Sequence, residues 1–129
     1  MNVKTPPCPC GGENYDRCCG RYHGGVPAPD AASLMRSRYS AYALNLEDYL
    51  LATWHPDTCP AMLELAEDDT KWIGLEVKKH LVESPDRATV EFVARYKVGG
   101  RAHRLHEISR FVKEHGRWFY VDGEFVGKN

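Results

Sequence analysis

The chain has no apolar run near the roughly 20 residues that a membrane-spanning helix needs, so no membrane role is expected. It shows no secretory leader: Met1 to Pro7 carries one lysine, two prolines and no apolar core segment. The expected location is therefore the cytoplasm, where thiols stay reduced. Dense Lys/Arg tracts are missing, and no aromatics are interleaved in an RNA-reading pattern. No two carboxylates have a spacing that forces both into one site, so no catalytic residue is assigned. Cysteine is scarce beyond the first twenty residues. Of five cysteines, four fall between positions 8 and 19 and the fifth is Cys59.

Those four are the densest signal present. They read Cys8-Pro-Cys10-Gly-Gly-Glu-Asn-Tyr-Asp-Arg-Cys18-Cys19. Two cysteine pairs flank a short Gly-rich turn, which can gather four sulfurs around one small volume. Four thiolates in tetrahedral geometry suit Zn²⁺, and iron fits the same sulfur set. A knuckle this short has almost no core of its own, so a metal would supply its folding free energy. A pair of disulfides and a set of unligated thiols compete with that reading. His23 is a substitute ligand should one cysteine be displaced. Cys59 stands alone with no activating neighbour, which suits packing better than nucleophilic chemistry.

The stretch Cys8-Pro-Cys10-Gly11 to Tyr15-Asp-Arg-Cys18-Cys19-Gly20 resembles the SEC-C motif, the zinc-binding tail of the bacterial preprotein translocase ATPase. Four later blocks resemble the YchJ family. They are Leu34-Met35-Arg36-Ser37-Arg38-Tyr39-Ser40-Ala41-Tyr42, Thr53-Trp54-His55-Pro56, Glu107-Ile108-Ser109-Arg110-Phe111 and Trp118-Phe119-Tyr120-Val121-Asp122-Gly123. The resemblance implies an N-terminal SEC-C knuckle joined to an NTF2-like (cystatin-like) cone. It implies zinc on Cys8, Cys10, Cys18 and Cys19. It further implies a protein or ribosomal partner for the knuckle, since SEC-C knuckles contact a chaperone and ribosomes, and a cavity inside the cone.

With 43% hydrophobic and 27% charged residues, the 129-residue chain has the balance of one ordinary globular core plus the knuckle. The net charge of −1 is unevenly spread: residues 26–86 carry five basic and eleven acidic side chains, residues 87–129 nine and five. A basic C-terminal third reads first as a solvated sheet face. Nucleic-acid binding through the knuckle and that sheet is the competing reading. It requires Arg17, Arg21, Arg101, Arg104 and Arg117 on one face.

Val26-Pro27-Ala28-Pro29 reads as an extended linker, which divides the chain into a knuckle, 1–25, and a domain, 26–129. Asp30 is a good N-cap for a helix to about Leu44, with Met35, Tyr39, Tyr42 and Leu46 in an apolar stripe. A second short helix follows Glu47-Asp48 and ends near Trp54. Pro60 suits the start of a third, about 61–68. From Lys71 the period changes to two. Strands are expected at 72–83, 88–98, 101–113 and 117–122, with Gly99-Gly100 closing a hairpin. On the first strand, Ile73, Leu75, Val77 and Leu81 are expected on one face, and Trp72, Glu76, Lys78 and His80 on the other. Three helices followed by a four-stranded antiparallel meander make an α+β fold. The oligomeric state is left open.

The third strand carries an oddity. Leu105, Glu107, Ser109 and Phe111 share one face; Ile108, Arg110 and Val112 share the other. Whichever is buried holds an ionisable group that needs a partner. Arg38 is the expected partner of Glu107, and Glu91 that of Arg110. The bland reading is a structural or exposed ion pair. The sharp one is a ligand pocket of Arg38, Trp54, His55, Trp72, Glu107 and Arg110. His103 and His106, three apart on a strand, point to opposite faces and make a poor joint metal site. The leading functional expectation is a zinc-binding adaptor. The alternative is a small-molecule binder or enzyme using the cone cavity.

Overall fold

The computed structural model describes residues 6–61 and 70–126. Its longest helix, α2, spans Ala31–Leu44, after a short α1 at Cys19–His23 and before α3 at Glu47–Ala52. Asp30 caps α2, its carboxylate accepting from the Ser33 N–H at 2.7 Å. Asn45 ends it in the left-handed region at φ 60°, a conformation asparagine tolerates better than most residues. The expected helix over 61–68 lies outside the described residues, apart from Ala61.

Four antiparallel strands follow in sequence order: β1 Lys71–Ser84, β2 Arg87–Val98, β3 Arg101–Glu114 and β4 Arg117–Phe125. The α+β expectation holds. Gly99 and Gly100 both take positive φ in the β2–β3 turn, and His115 and Gly116 do so in the β3–β4 turn. Two consecutive left-handed residues match the twist of the strands they join.

Strict alternation on β1 is overturned. Bulges leave Ile73, Lys78 and Glu83 without partners on β2, and each extra residue flips the face that follows. Trp72 therefore sits opposite Tyr96, Leu75 opposite Ala94, Val77 opposite Phe92 and His80 opposite Val90. Trp72 and His80 join the Leu75 and Val77 face, while Ile73 and Leu81 are left about half exposed, at 52% and 50%. The core forms where this face meets α2: Leu34, Met35 and Tyr39 pack against Val90, Phe92, Phe111 and Trp118.

The other flank of α2 is covered too. Ser37, Ser40 and Ala41 are fully buried, because α1 and the cysteine loop pack there. The helix is thus a wall shared by the sheet and the knuckle.

Candidate metal centre and cone cavity

The cysteine loop is built from tight turns. Cys8 N–H donates to the Gly12 carbonyl and Gly11 N–H to the Cys8 carbonyl, both at 2.9 Å. A 3-10 turn, Tyr15–Arg17, is capped by Asn14, whose side-chain oxygen accepts from the Arg17 N–H at 3.2 Å. Gly12 is required by space, since a Cβ there would lie 2.7 Å from Cys18 Sγ. These turns bring the sulfurs of Cys8, Cys10, Cys18 and Cys19 within 4.8 Å of one another. Cys10 Sγ lies 3.5 Å from Cys18 Sγ and 3.7 Å from Cys19 Sγ. Tetrahedral Zn–S bonds of about 2.3 Å require sulfurs about 3.8 Å apart, so the set fits one metal ion.

Electrostatics within the cluster point the same way. The hydrogen bond from the Cys19 thiol pulls Cys10 down to about 5, against the opposing effect of burial. Burial, then the adjacent Cys10, pushes Cys18 up to about 11, and the Cys10 contact with burial drives Cys19 upward. Cysteine ligates as the thiolate, so a metal ion would replace the protons these sulfurs share.

His23 is not among the ligands. Its Nε2–H donates to the Ser37 carbonyl at 2.8 Å, and its Nδ1 accepts from the Tyr15 hydroxyl at 2.5 Å. With both nitrogens engaged, the expected substitute ligand becomes a strut between knuckle and α2. Burial lowers its proton affinity, which suits this neutral form. A feature the sequence reading missed is Ser40 on α2. Its hydroxyl donates to Cys19 Sγ at 3.3 Å and lies 3.4 Å from Cys8 Sγ. Nothing in the helix, which also carries Ser33, Ser37, Arg36 and Arg38, singled it out. Cys59 stands apart, its thiol directed at the Leu51 and Pro60 carbonyls.

A cavity of about 280 Å³ lies between α2 and the concave face of the sheet. Arg38, Trp72 and Glu107 of the expected pocket line it; Met35, Phe92, Leu105 and Phe111 give it apolar walls, and Tyr42, Ser109 and Tyr120 add hydroxyls. Arg38 is only 4% exposed. Its Nη1 donates to the Leu50 carbonyl at 2.8 Å and the Thr53 hydroxyl at 2.7 Å. Its guanidinium sits 5.0 Å from the Trp54 ring centre and 4.5 Å from that of Tyr120. Trp54 thus backs Arg38 without lining the cavity. Glu107 Oε2 accepts from the Ser109 hydroxyl at 3.0 Å. Burial raises its pKa, while Ser109, Tyr120 and the Arg38 charge pull it back down.

The other two expected pocket residues lie elsewhere. His55 Nε2 meets Glu114 at 3.0 Å, outside the cavity. Arg110 projects from the opposite face of β3 and pairs with Asp122 at 2.6 Å and Glu124 at 3.1 Å, not with Glu91. Glu91 holds His106 at 2.7 Å instead, while His103 stacks on Tyr96 from the other face. The five arginines of the nucleic-acid reading do not share a patch either. Arg101 faces Val98 and Arg117 faces Glu114, at opposite ends of β3.

Residues 30–123 match the family model described as YchJ, middle NTF2-like domain. The chain belongs to the YchJ-like family. Its relatives include UPF0225 proteins from Methylibium petroleiphilum, 61% identical over 92% of this chain and 88% of the relative, and from Ralstonia nicotianae, 58% identical over 95% and 93%. Among solved structures, a SEC-C motif containing protein from Rhodopseudomonas palustris superposes with a TM-score of 0.83 at 36% identity, covering 94% of this chain and 99% of that one. One from Psychrobacter arcticus gives 0.79 at 30% identity, covering 100% and 88%. The YchJ-like architecture is therefore an NTF2-like α+β domain with an N-terminal cysteine cluster able to hold a metal ion. Among the described residues, no helix is long and apolar enough to cross a membrane.

Proposed function

We propose that this YchJ-like protein is a zinc-organised binding protein whose knuckle docks on a protein or ribosomal partner. The supporting observation is a four-sulfur site that carries a fixed cation on its outside. Four thiolates complete a tetrahedral ion and leave no position for a reacting water, so the ion builds a surface rather than a reaction centre. Arg21 Nε donates to the Cys18 carbonyl at 3.2 Å, and Nη2 to the Tyr22 hydroxyl at 3.1 Å. Its guanidinium lies 5.0 Å from the Tyr22 ring centre. Arg17 is exposed nearby. Cations held this way favour acidic protein patches or phosphate backbones. A thiolate site belongs in a reducing compartment, so the proposed location is the cytoplasm.

Elemental analysis of protein purified without chelator or nickel should find one zinc per chain, lost on Cys10→Ser; iron instead would make the site a redox centre. In-cell cross-linking and cosedimentation with purified ribosomes should then compare wild type with the Arg17→Glu, Arg21→Glu double variant. A loss of about tenfold in either is expected for charge reversal at a contact surface. Unchanged cross-links and unchanged sedimentation would remove the partner surface from this face.

A further inference from the structure

The cavity within the cone is unrelated to the knuckle surface, and its chemistry is specific enough to name what enters it. We infer that it binds a small uncharged aromatic alcohol or phenol, with the ring against Trp72 and Phe92 and the hydroxyl at Glu107.

Four observations carry this. First, the space is too large to be a packing defect. Interiors are close-packed, and this pocket of about 280 Å³ opens to solvent, so a guest can enter it. An apolar cavity of about 150 Å³ takes benzene; by proportion this one takes about eleven non-hydrogen atoms, a bicyclic ring with one substituent. Second, Glu107 is deliberately accommodated. A Cβ on Gly123 would lie 2.0 Å from Glu107 Oε2 and 3.1 Å from the Ile108 carbonyl oxygen. Position 123 is thus kept bare where the carboxylate sits, and Ser109 fixes its Oε2. Third, among the described residues of the wall the ionisable groups besides tyrosines are Glu107 and Arg38. One cation and one anion leave the site neutral, so a charged guest would be desolvated without a free counter-charge. Fourth, the tyrosines Tyr42 and Tyr120 share the cavity wall with Glu107 and Ser109. A guest hydroxyl can donate to the carboxylate and accept from one of these tyrosines.

The test titrates the zinc-loaded full chain with 2-naphthol, 2-methoxynaphthalene and 2-naphthoate, followed by two-dimensional amide NMR. 2-Naphthol is expected to shift amides around Phe92, Leu105 and Tyr120. The methoxy compound, which cannot donate, should bind at least tenfold more weakly, and the naphthoate anion should not bind. Glu107→Gln should retain 2-naphthol within about threefold, whereas Glu107→Leu should weaken it tenfold or more. Should the leucine variant fail to fold, the ranking of the three compounds on wild type decides alone. Preference for naphthoate, equal binding of phenol and ether, shifts confined to the outer face, or no shifts at millimolar compound would each overturn the inference.

Discussion

Two small residues hold more of this molecule together than their size suggests. Ser40 is fully buried, and its described hydrogen-bond partners are cysteine sulfurs. Hydrogen bonds to ligating atoms orient them and tune the metal, and losing one typically weakens binding 10- to 100-fold. Ser40→Ala is therefore expected to weaken metal binding about tenfold in a chelator competition, with the fold intact by circular dichroism. Gly123 is the second. Gly123→Ala drives a methyl group into the Glu107 carboxylate, and overpacking of this kind costs about 1–3 kcal/mol. Urea unfolding should show that loss. It should shrink in the double variant with Glu107→Ala, because the clash is removed from the other side.

At the level of elements, α2 decides the architecture because both of its flanks are used. The sheet takes Leu34, Met35 and Tyr39; the knuckle takes Ser37 through His23, and Ser40 through the sulfurs. Cys18→Ser is expected to collapse the amide dispersion of residues 8–23 in NMR spectra while the β2–β3 resonances stay dispersed. Loss of both sets together would mean that the sheet cannot stand without the knuckle. How much of this was legible follows from which interactions are local. The α2 N-cap and the Gly99-Gly100 turn are set by neighbours in sequence and appear where the residues placed them; of the expected stripe, Met35, Tyr39 and Tyr42 lie on α2, while Leu46 falls beyond its Asn45 cap. The cysteines converge because short turns dictate it. The β1 bulges were missed: Gly74 beside the first is a bulge signal the alternation pattern hid, and nothing comparable marks those at Lys78 and Glu83. Arg110 and Glu91 went to other partners because cross-strand register chose Asp122 for one and brought His106 within reach of the other. Ser40 was hidden because nothing in the sequence sets it apart from Ser33 and Ser37 on the same helix.

For the whole molecule, the question is whether metal and cone unfold as one. The shared wall says that they are coupled. A ligand that binds only the folded state stabilises it by mass action. Chelation should therefore lower the midpoint of a single thermal transition, by roughly 5–10 °C if the coupling is about 1–2 kcal/mol in a domain of this size. Calorimetry would show it. Two separated transitions, with the upper one unmoved by chelator, would make the knuckle an independent appendage.

The uneven edge of the sheet has a consequence for how this protein behaves in a crowded solution. β1 is a terminal strand of the sheet, and Ile73, Leu81 and Val82 on it are exposed at 52%, 50% and 64%. A flat, greasy border of that kind invites a neighbouring chain to zip on and start a fibril. Here the ladder is regular over only four residues at a time, Gly74–Val77 and Lys79–Val82, before an extra residue breaks the rhythm. An incoming strand loses register before it has gained enough hydrogen bonds to stay. The same irregularity that misleads a reader of the alternation pattern serves the protein as colloidal protection.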